Sequence, residues 1–296
     1  MLPKINKAYS LNEQQKKNVF LELWEIDTFE GGTNSRGKFL EQVALNFEQK
    51  NKGVYVIVRT LSLQQAVLLL QQDSIPNLIS FGVGVGDYIK AYVKEVNINT
   101  TVRKNVLNSG KMQNKQYAMP WCMGGYVYCG LQSLDNIKEN SVGVGVENNI
   151  PPKTECKQVI KYNTQYDAYK DFFNNKYDVL LGTQRDYFRL VNKLALGAIS
   201  NCNFKFNNNY TDLVQYIAIT SIQEDDIQYC QNYIQFLLDL NTQNRLNNIG
   251  MFSVINAHIY SNTNYAEFEN NILNINNVPN AFLEIEEIKE RQNNYN

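Results

Sequence analysis

The stretch FLELWEIDTFEGGTNSRGKFL, residues 20–40, decides the fold that this chain is expected to adopt. Phe20–Ile26 is a short apolar run typical of a buried parallel strand. A polar loop with Gly31 and Gly32 follows, and Ser35 can cap a helix that begins near Arg36. Open α/β sheets bind ligands in loops of this kind. The pattern predicts a strand, a binding loop and a helix, or equally a tight connection that binds nothing.

Two further strands and helices extend this alternation. Apolar residues within 36–50 follow helical spacing, and Val54–Arg59 is a second β-branched, apolar run. Residues 63–72 predict another helix, and Leu78–Phe81 predicts a third strand. This order predicts an α/β protein with a doubly wound parallel sheet and right-handed crossovers.

Three glycines follow the third strand in GVGVGD, residues 82–87. Their spacing is G-x-G-x-G, whereas the dinucleotide fingerprint is G-x-G-x-x-G after the first strand. The segment is therefore expected to be a flexible loop or a cleft wall, and a nucleotide site is not expected.

The second half of the chain contains two further informative stretches. In YAMPWCMGGYVYCG, residues 117–130, Trp121 is either a stacking surface for a ligand or a core residue. In LLGTQRDYFRL, residues 180–190, a strand leads through a turn at Gly182–Asp186 into a helix that starts at Tyr187. Arg185 in that turn can bind a carboxylate, a phosphate or a pair of hydroxyls, or it can pair with Asp186.

The remaining segments complete the expected organisation. Residues 141–153 and 201–211 are expected to be irregular, and Asp212–Thr220 has the apolar character of a strand. Asp225–Leu240 predicts a helix, and residues 262–296 are polar with a helical end.

Composition excludes several classes of function. Lys and Arg total 28 against 29 Asp and Glu, so a net charge of −1 gives no electrostatic basis for binding nucleic acid. No apolar run approaches the ~20 residues that a membrane-spanning helix needs. The length of 296 residues allows two domains or lobes. The N-terminal residues lack the apolar core of a signal peptide.

Metal and catalytic motifs are also missing from the sequence. The five cysteines contain no CxxC pair, and His258 is the single histidine, so no metal ion or cofactor is expected. The sequence has no P-loop, no G-x-S-x-G elbow and no H-E-x-x-H motif. A hydrolase or transferase is therefore disfavoured against a protein that only binds its ligand.

Six segments, in consistent order, resemble a known family. They are WEIDTFEGGTNSR, FEQKNKGVYVIV, PNLISFG, AMPWCMGGYVY, LLGTQRDYFRL and DLVQYIAIT. Over roughly residues 21–254 they resemble the extracellular solute-binding proteins of ABC importers, in the maltose-binding-protein-like branch. The resemblance implies a two-lobed, periplasmic-binding-protein-like α/β fold of type II with a central ligand cleft.

The resemblance also implies how the chain divides between the lobes. Lobe 1 is expected to hold 19–118 and 217–258, and lobe 2 is expected to hold 119–216 and 262–296. The hinges are expected near 117–125 and 212–220. The lobes would close on a ligand and present it to a membrane permease, or act as a sensor of the same fold.

Ligand contacts are implied in four segments that follow strands or join the lobes. The expected binding residues are Asp27, Glu30, Gly31, Gly32, Ser35, Arg36, Ser80, Gly82, Trp121, Cys122, Gly182, Thr183, Gln184 and Arg185. Their mixture of acids, amides and hydroxyls favours a sugar or oligosaccharide. Two arginines at helix starts would instead suit an anion. The expected protein is an exported monomer that serves an ABC permease.

Overall fold

The computed structural model describes residues 18–29, 35–146, 149–256 and 262–293. The strands are β1 (Val19–Ile26), β2 (Val54–Leu61), β3 (Leu78–Phe81), β4 (Lys111–Met112), β5 (Lys115–Gln116), β6 (Ala118–Met123), β7 (Tyr126–Gly130), β8 (Ser141–Gly145), β9 (Gln158–Tyr162), β10 (Val179–Thr183), β11 (Asn203–Phe206) and β12 (Val214–Ile219). The helices are α1 (Arg36–Lys50), α2 (Leu63–Gln71), α3 (Gly86–Ile89), α4 (Lys104–Asn108), α5 (Gln165–Phe173), α6 (Gln184–Ala195), α7 (Glu224–Leu237), α8 (Leu240–Gln243), α9 (Thr263–Ile272) and α10 (Ile285–Asn293). Single 3₁₀ turns occur at Ile137–Glu139 and Leu246–Ile249.

The first sheet has the strand order β2-β1-β3-β12-β6. Strand β1 pairs in parallel with β2 and β3, as the apolar run at its position predicts. Strand β12 runs antiparallel between β3 and β6. Helices α1 and α7 pack together on this sheet, where the rings of Phe47 and Tyr233 meet edge to face at 5.4 Å.

The second sheet has the order β11-β7-β10-β8-β9. Strand β7 runs antiparallel to both β10 and β11, while β8 is parallel to β10 and β9. We call the first sheet with its helices lobe 1 and the second sheet with its helices lobe 2. Two sheets with helices packed on them confirm the predicted two-lobed α/β fold.

Two short segments that join the lobes are hydrogen-bonded to each other. The first lies between β6 and β7, where Gly124 N–H donates to the carbonyl of Leu213 at 2.6 Å. The second lies between β11 and β12, where the Thr211 hydroxyl donates to the carbonyl of Gly124 at 3.0 Å. Because β6 and β12 lie wholly in the first sheet, we propose lobe boundaries near 124 and 212 instead of 118 and 217.

Three segments differ from the sequence-based expectation. Ser141–Gly145, expected to be irregular, is strand β8, whose glycines leave room for the ring of Tyr177 beside Gly143. Asn203–Phe206 is strand β11 within a run that is otherwise rich in asparagine. Gly182 and Thr183 end strand β10, so helix α6 begins at Gln184 without a separate glycine turn.

The C-terminal segment touches both lobes, although it was expected to pack on lobe 2. Helix α9 packs there, with the Phe268 ring 5.1 Å from that of Phe206. The chain then returns to lobe 1, where the Ala281 N–H donates to the carbonyl of Ser109 at 2.8 Å. No helix in the part of the chain that the structure describes has the length and apolarity to cross a membrane.

Candidate functional site

The carboxyl ends of strands from both lobes meet around a cleft that holds two cavities. The first cavity has a volume of about 350 Å³. It is bordered on one side by residues that follow β1 and β3, and on the other by Ile150 in the loop after β8. Its lining comprises Thr28, Leu63, Val83, Gly84, Val85, Tyr88, Ile150, Ile285, Ile288, Lys289 and Gln292. Placement at strand ends is the expected position of a ligand in an open α/β sheet.

The second cavity, of about 680 Å³, lies on the lobe 2 side and shares Ile150 with the first. It lies beside the segment between β11 and β12 that returns the chain to lobe 1. Its lining comprises Ile150, Pro151, Pro152, Lys153, Asn207, Asn209, Tyr210, Asn277, Glu287, Glu290 and Arg291. The volume is within the range of cavities that bind small molecules.

Tyr210 gives the second cavity an aromatic wall in a fixed position. Its hydroxyl donates to the carbonyl of Ile150 at 2.7 Å, and its backbone N–H donates to the Asn207 side chain at 3.2 Å. Tyr210 is half-buried and lines the space together with three asparagines. An aromatic face beside amide donors and acceptors suits a ligand with an apolar face and a polar edge.

Charge in the second cavity is close to balanced. Lys153 and Arg291 line the space together with Glu287 and Glu290, and on helix α10 Arg291 pairs with Glu287 at 2.5 Å. This arrangement provides hydrogen-bonding groups of both kinds without a strong net charge, which suits a neutral polar ligand.

A buried polar cluster supports the lobe 1 wall. Arg36 pairs with Glu25 at 3.3 Å and with Asp27 at 2.5 Å, and also donates to the carbonyl of Phe29. Burial raises the pKa of Glu25 to about 7, although the nearby Arg36 charge lowers it. Gln215 on β12 donates to the Glu25 carboxylate at 3.2 Å. The cluster holds the end of β1 in place. Because the guanidinium of Arg36 is already paired with Glu25 and Asp27, it is not available to bind an anionic ligand.

Asp212 connects the second joining segment with the loop after β8, which borders both cavities. Its buried carboxylate accepts from the Tyr126 hydroxyl at 2.7 Å and from the Ile150 N–H at 2.5 Å. Burial raises its pKa to about 6, and these two hydrogen bonds act in the opposite direction. One side chain therefore couples β7, the loop after β8 and the segment that enters β12.

The predicted residues of the first loop divide into three groups. Glu30, Gly31 and Gly32 lie outside the described residues. Asp27 has a side chain that is 72% exposed, at the start of the loop. Ser35 caps α1 as predicted, since its hydroxyl accepts from the N–H of Lys38 at 3.3 Å. Arg36 is buried in the ion pairs described above.

The predicted contacts at Ser80, Gly82, Trp121 and Cys122 lie in the core. Trp121 is 0% exposed, donates from its indole nitrogen to the Ser80 hydroxyl at 3.0 Å and stacks on Phe39. A side chain at Gly82 would collide with Thr28, so the glycine lets β3 approach the first loop. Burial also raises the pKa of the Cys122 thiol. Trp121 therefore has no free face for a ligand in this conformation, and the core interpretation applies.

Three of the four predicted residues in the last segment are also buried: Gly182, Thr183 and Gln184. The Gln184 side chain accepts from the Gly125 N–H at 3.2 Å, which joins α6 to the first joining segment. Arg185 is half-buried at the start of α6. The adjacent Asp186 is buried, which raises its pKa, and it pairs with Arg189 at 3.4 Å.

The structure nevertheless brings the four predicted segments into one continuous set of contacts. Gly82 lies against Thr28, Ser80 bonds to Trp121, and Gly125 bonds to Gln184. They form the base of the cleft more than its surface. Tyr210, Ile150 and Gln292 line the cavities and were not among the residues predicted from the sequence. The polar run NNNYTD, residues 207–212, lies in the second of the two joining segments. This run was the feature of the sequence from which Tyr210 could have been predicted.

Comparison with known proteins supports the fold and leaves the ligand open. No protein-family model and no curated protein matches the chain. The chain is similar to the GacH receptor of Streptomyces glaucescens, solved unliganded and with acarbose, at 10% identity and a TM-score of 0.66 over 94% of this chain and 92% of that one. A cyclo/maltodextrin-binding protein complexed with maltotetraose gives 11% identity and a TM-score of 0.65, covering 95% and 91%.

The same fold also carries other ligands. Iron-bound HitA from Pseudomonas aeruginosa is 13% identical, with a TM-score of 0.61 over 94% of this chain and 99% of that one. Identities this low establish the fold alone. The chain thus has the two-lobed fold of the periplasmic binding proteins, and the nature of its ligand has to be argued from its own residues.

Proposed function

We propose that this protein binds a neutral carbohydrate in the cleft between its lobes and delivers it to an ABC importer. The observation that carries the proposal is the second cavity, which Tyr210 lines together with asparagines and with charged residues of balanced sign. Sugars present an apolar ring face and a hydroxyl edge, which such a wall can recognise. The sugar receptors that share the fold support the same ligand class.

An anion or a metal ion fits the described residues less well. Arg36 is neutralised by Glu25 and Asp27 inside the protein. Among residues 18–29, 35–146, 149–256 and 262–293, no three His, Cys, Asp or Glu side chains are grouped to hold a metal ion. The iron-bound relative in fold therefore provides no argument for iron here.

Binding without catalysis is part of the proposal. Glu25, a carboxylic acid with a raised pKa near the cleft, is buried and bonded to Arg36, which keeps it away from a ligand in the cavities. The Cys122 thiol is buried as well, and its raised pKa disfavours the thiolate that a nucleophile requires. Neither group is placed to act on a bound sugar.

Hinged closure follows from the two joining segments. A ligand that contacts both lobes stabilises the arrangement in which the walls are close, and the permease would recognise that arrangement. We further propose that the protein acts as an exported monomer. A sensor of the same fold would use the same binding step but would signal to a different partner.

Tyr210→Ala tests the ligand and the site together. Calorimetry of the intact protein with maltotetraose should show binding, and loss of the aromatic face should weaken it by roughly 1–3 kcal/mol, about tenfold or more. Tyr210→Phe should lose less, since it keeps the ring and removes only the hydrogen bond to Ile150. Tyr166→Ala, an exposed aromatic on α5, is the matched control.

Binding of inorganic phosphate or ferric ion in place of maltotetraose and acarbose would refute the carbohydrate proposal. Equal affinity of the wild type and the Tyr210→Ala variant for maltotetraose would show that the sugar binds outside the second cavity.

A further inference from the structure

Helix α10 separates the two cavities of the cleft. Ile285, Ile288 and Gln292 recur at helical spacing and face the first cavity. Glu287, Glu290 and Arg291 lie on the other face and line the second. Because both cavities also reach Ile150, a ligand that extends from one to the other needs space that the helix occupies.

The chain before α10 is anchored firmly on lobe 1. The Phe282 ring lies 6.1 Å from that of Phe81, and the Asn280 side chain donates to the carbonyl of Lys111 at 2.8 Å. A side chain at Gly86 would collide with the Ala281 carbonyl, so α3 and this segment pack backbone to backbone. At the start of the helix itself, the Ile285 N–H donates to the Asp87 carboxylate at 3.4 Å.

The far end of α10 reaches lobe 2 through polar contacts. The Gln292 amide donates to the carbonyl of Val146 at 3.0 Å and to that of Asn149 at 2.7 Å. Lys161 on β9 donates to the carbonyl of Asn293 at 3.2 Å. No described residue of α10 is fully buried, so little apolar area holds this end in place. The attachment to lobe 2 is therefore the one that releases first.

We propose that α10 is an autoinhibitory strap, fixed on lobe 1, whose Gln292 attachment to lobe 2 competes with extended ligands for the middle of the cleft. The ligand in this inference rests on the proposed function. The strap itself rests only on the contacts of α10. A short ligand confined to one cavity leaves the strap attached. A longer ligand has to displace α10 from lobe 2. The free energy of that attachment then reduces the binding free energy of the ligand.

Gln292→Ala in the full chain removes both hydrogen bonds while leaving the lobe 1 anchor intact. Hydrogen–deuterium exchange of the amides of 285–293 should become faster, because a short helix without its tertiary contact frays. Calorimetry should show about three- to tenfold tighter binding of maltotetraose, the worth of one or two net hydrogen bonds. The affinity for maltose should change by less than about twofold, because a disaccharide needs only the second cavity, which Gln292 does not line.

Glu286→Gln is the matched control on the same helix, because its side chain is exposed and, among the described residues, forms its ion pair with Lys289 three residues on. It should reproduce the wild-type exchange and affinities. Unchanged exchange of 285–293 in Gln292→Ala, or weaker binding of both sugars, would refute the strap. If neither sugar binds any variant, the proposed function fails and the strap fails with it as an inhibitor of sugar binding. Faster exchange with unchanged affinity for maltotetraose would refute the strap alone.

Discussion

Glu25 is a carboxylic acid held in the core beside Arg36, and its pKa is raised by burial from 4.5 to about 7. The folded protein thus binds a proton here more tightly than the unfolded chain does. The stability that this proton contributes is fully present below about pH 4.5 and is lost as the pH rises to about 7. Burial also raises the pKa of Asp212 to about 6. Protonation of Asp212 therefore stabilises the folded protein as well, over a lower range of pH.

Glu25→Gln should therefore flatten the fall in stability between pH 4.5 and 7. Chemical denaturation at pH 4.5, 6 and 8 measures this, and the wild type should lose up to about 3 kcal/mol more than the variant across the range. Asp212→Asn is the comparison, because its effect should be confined to the lower half of that range. A parallel decline in the wild type and in Glu25→Gln would contradict the assignment.

Trp121→Ala should destabilise the protein without changing ligand affinity. The side chain is fully buried, stacks on Phe39 and bonds to Ser80, so its removal leaves a cavity that costs about 3–5 kcal/mol. Thermal unfolding measures the loss, and calorimetry on the remaining folded protein tests the affinity. Weaker ligand binding with an unchanged unfolding temperature would show that Trp121 contacts the ligand.

At the level of single residues, the sequence predicted which segments meet but not which side chains face the cleft. Ser35 caps α1 as expected because capping depends on neighbours along the chain. The orientation of Trp121 depends on Ser80 in β3 and Phe39 in α1, which lie far from it in sequence, so local spacing carries no information about it. Tyr210 was missed for the same reason, because its position depends on a hydrogen bond to Ile150.

Among elements, the boundaries of α1 and of the first three strands follow from apolar periodicity, and the structure confirms them within two residues. Strand β8 was missed because alternating glycine and valine has weak strand propensity by itself. Its pairing with β9 and β10 supplies what the local sequence lacks. Tertiary pairing outweighs local propensity in the centre of this sheet.

Gly86→Ala should loosen the C-terminal segment. The new methyl group would collide with the Ala281 carbonyl, so overpacking should cost about 1–3 kcal/mol and speed amide exchange in 285–293. Gly197→Ala is a control for backbone strain without a collision, because its φ of +66° disfavours a side chain although no atom lies within 4 Å of it. It should leave exchange in α10 unchanged. Equal exchange in the two variants would show that the anchor at Gly86 does not hold the helix.

For the whole molecule, a net charge of −1 and internally paired arginine at Arg36 predict binding that is insensitive to salt. Raising the salt concentration from about 0.05 to 0.5 M should change the affinity for maltotetraose by less than about twofold, because screening acts on charged partners. Calorimetry at the two concentrations measures this. A steep loss of affinity would indicate a charged ligand and would count against the sugar.

The position of β12 between β3 and β6 has a consequence for how the protein is made. On a ribosome, β3 and β6 emerge long before Val214, and they lack a common neighbour until β12 follows. All strands of lobe 2, from Tyr126 to Phe206, are complete by then. We expect the strands of the second lobe to pair before the first sheet is complete, although helix α9 is added to that lobe later. Until β12 is made, the edges of β3 and β6 stay open, and nascent-chain chaperones would have to cover them.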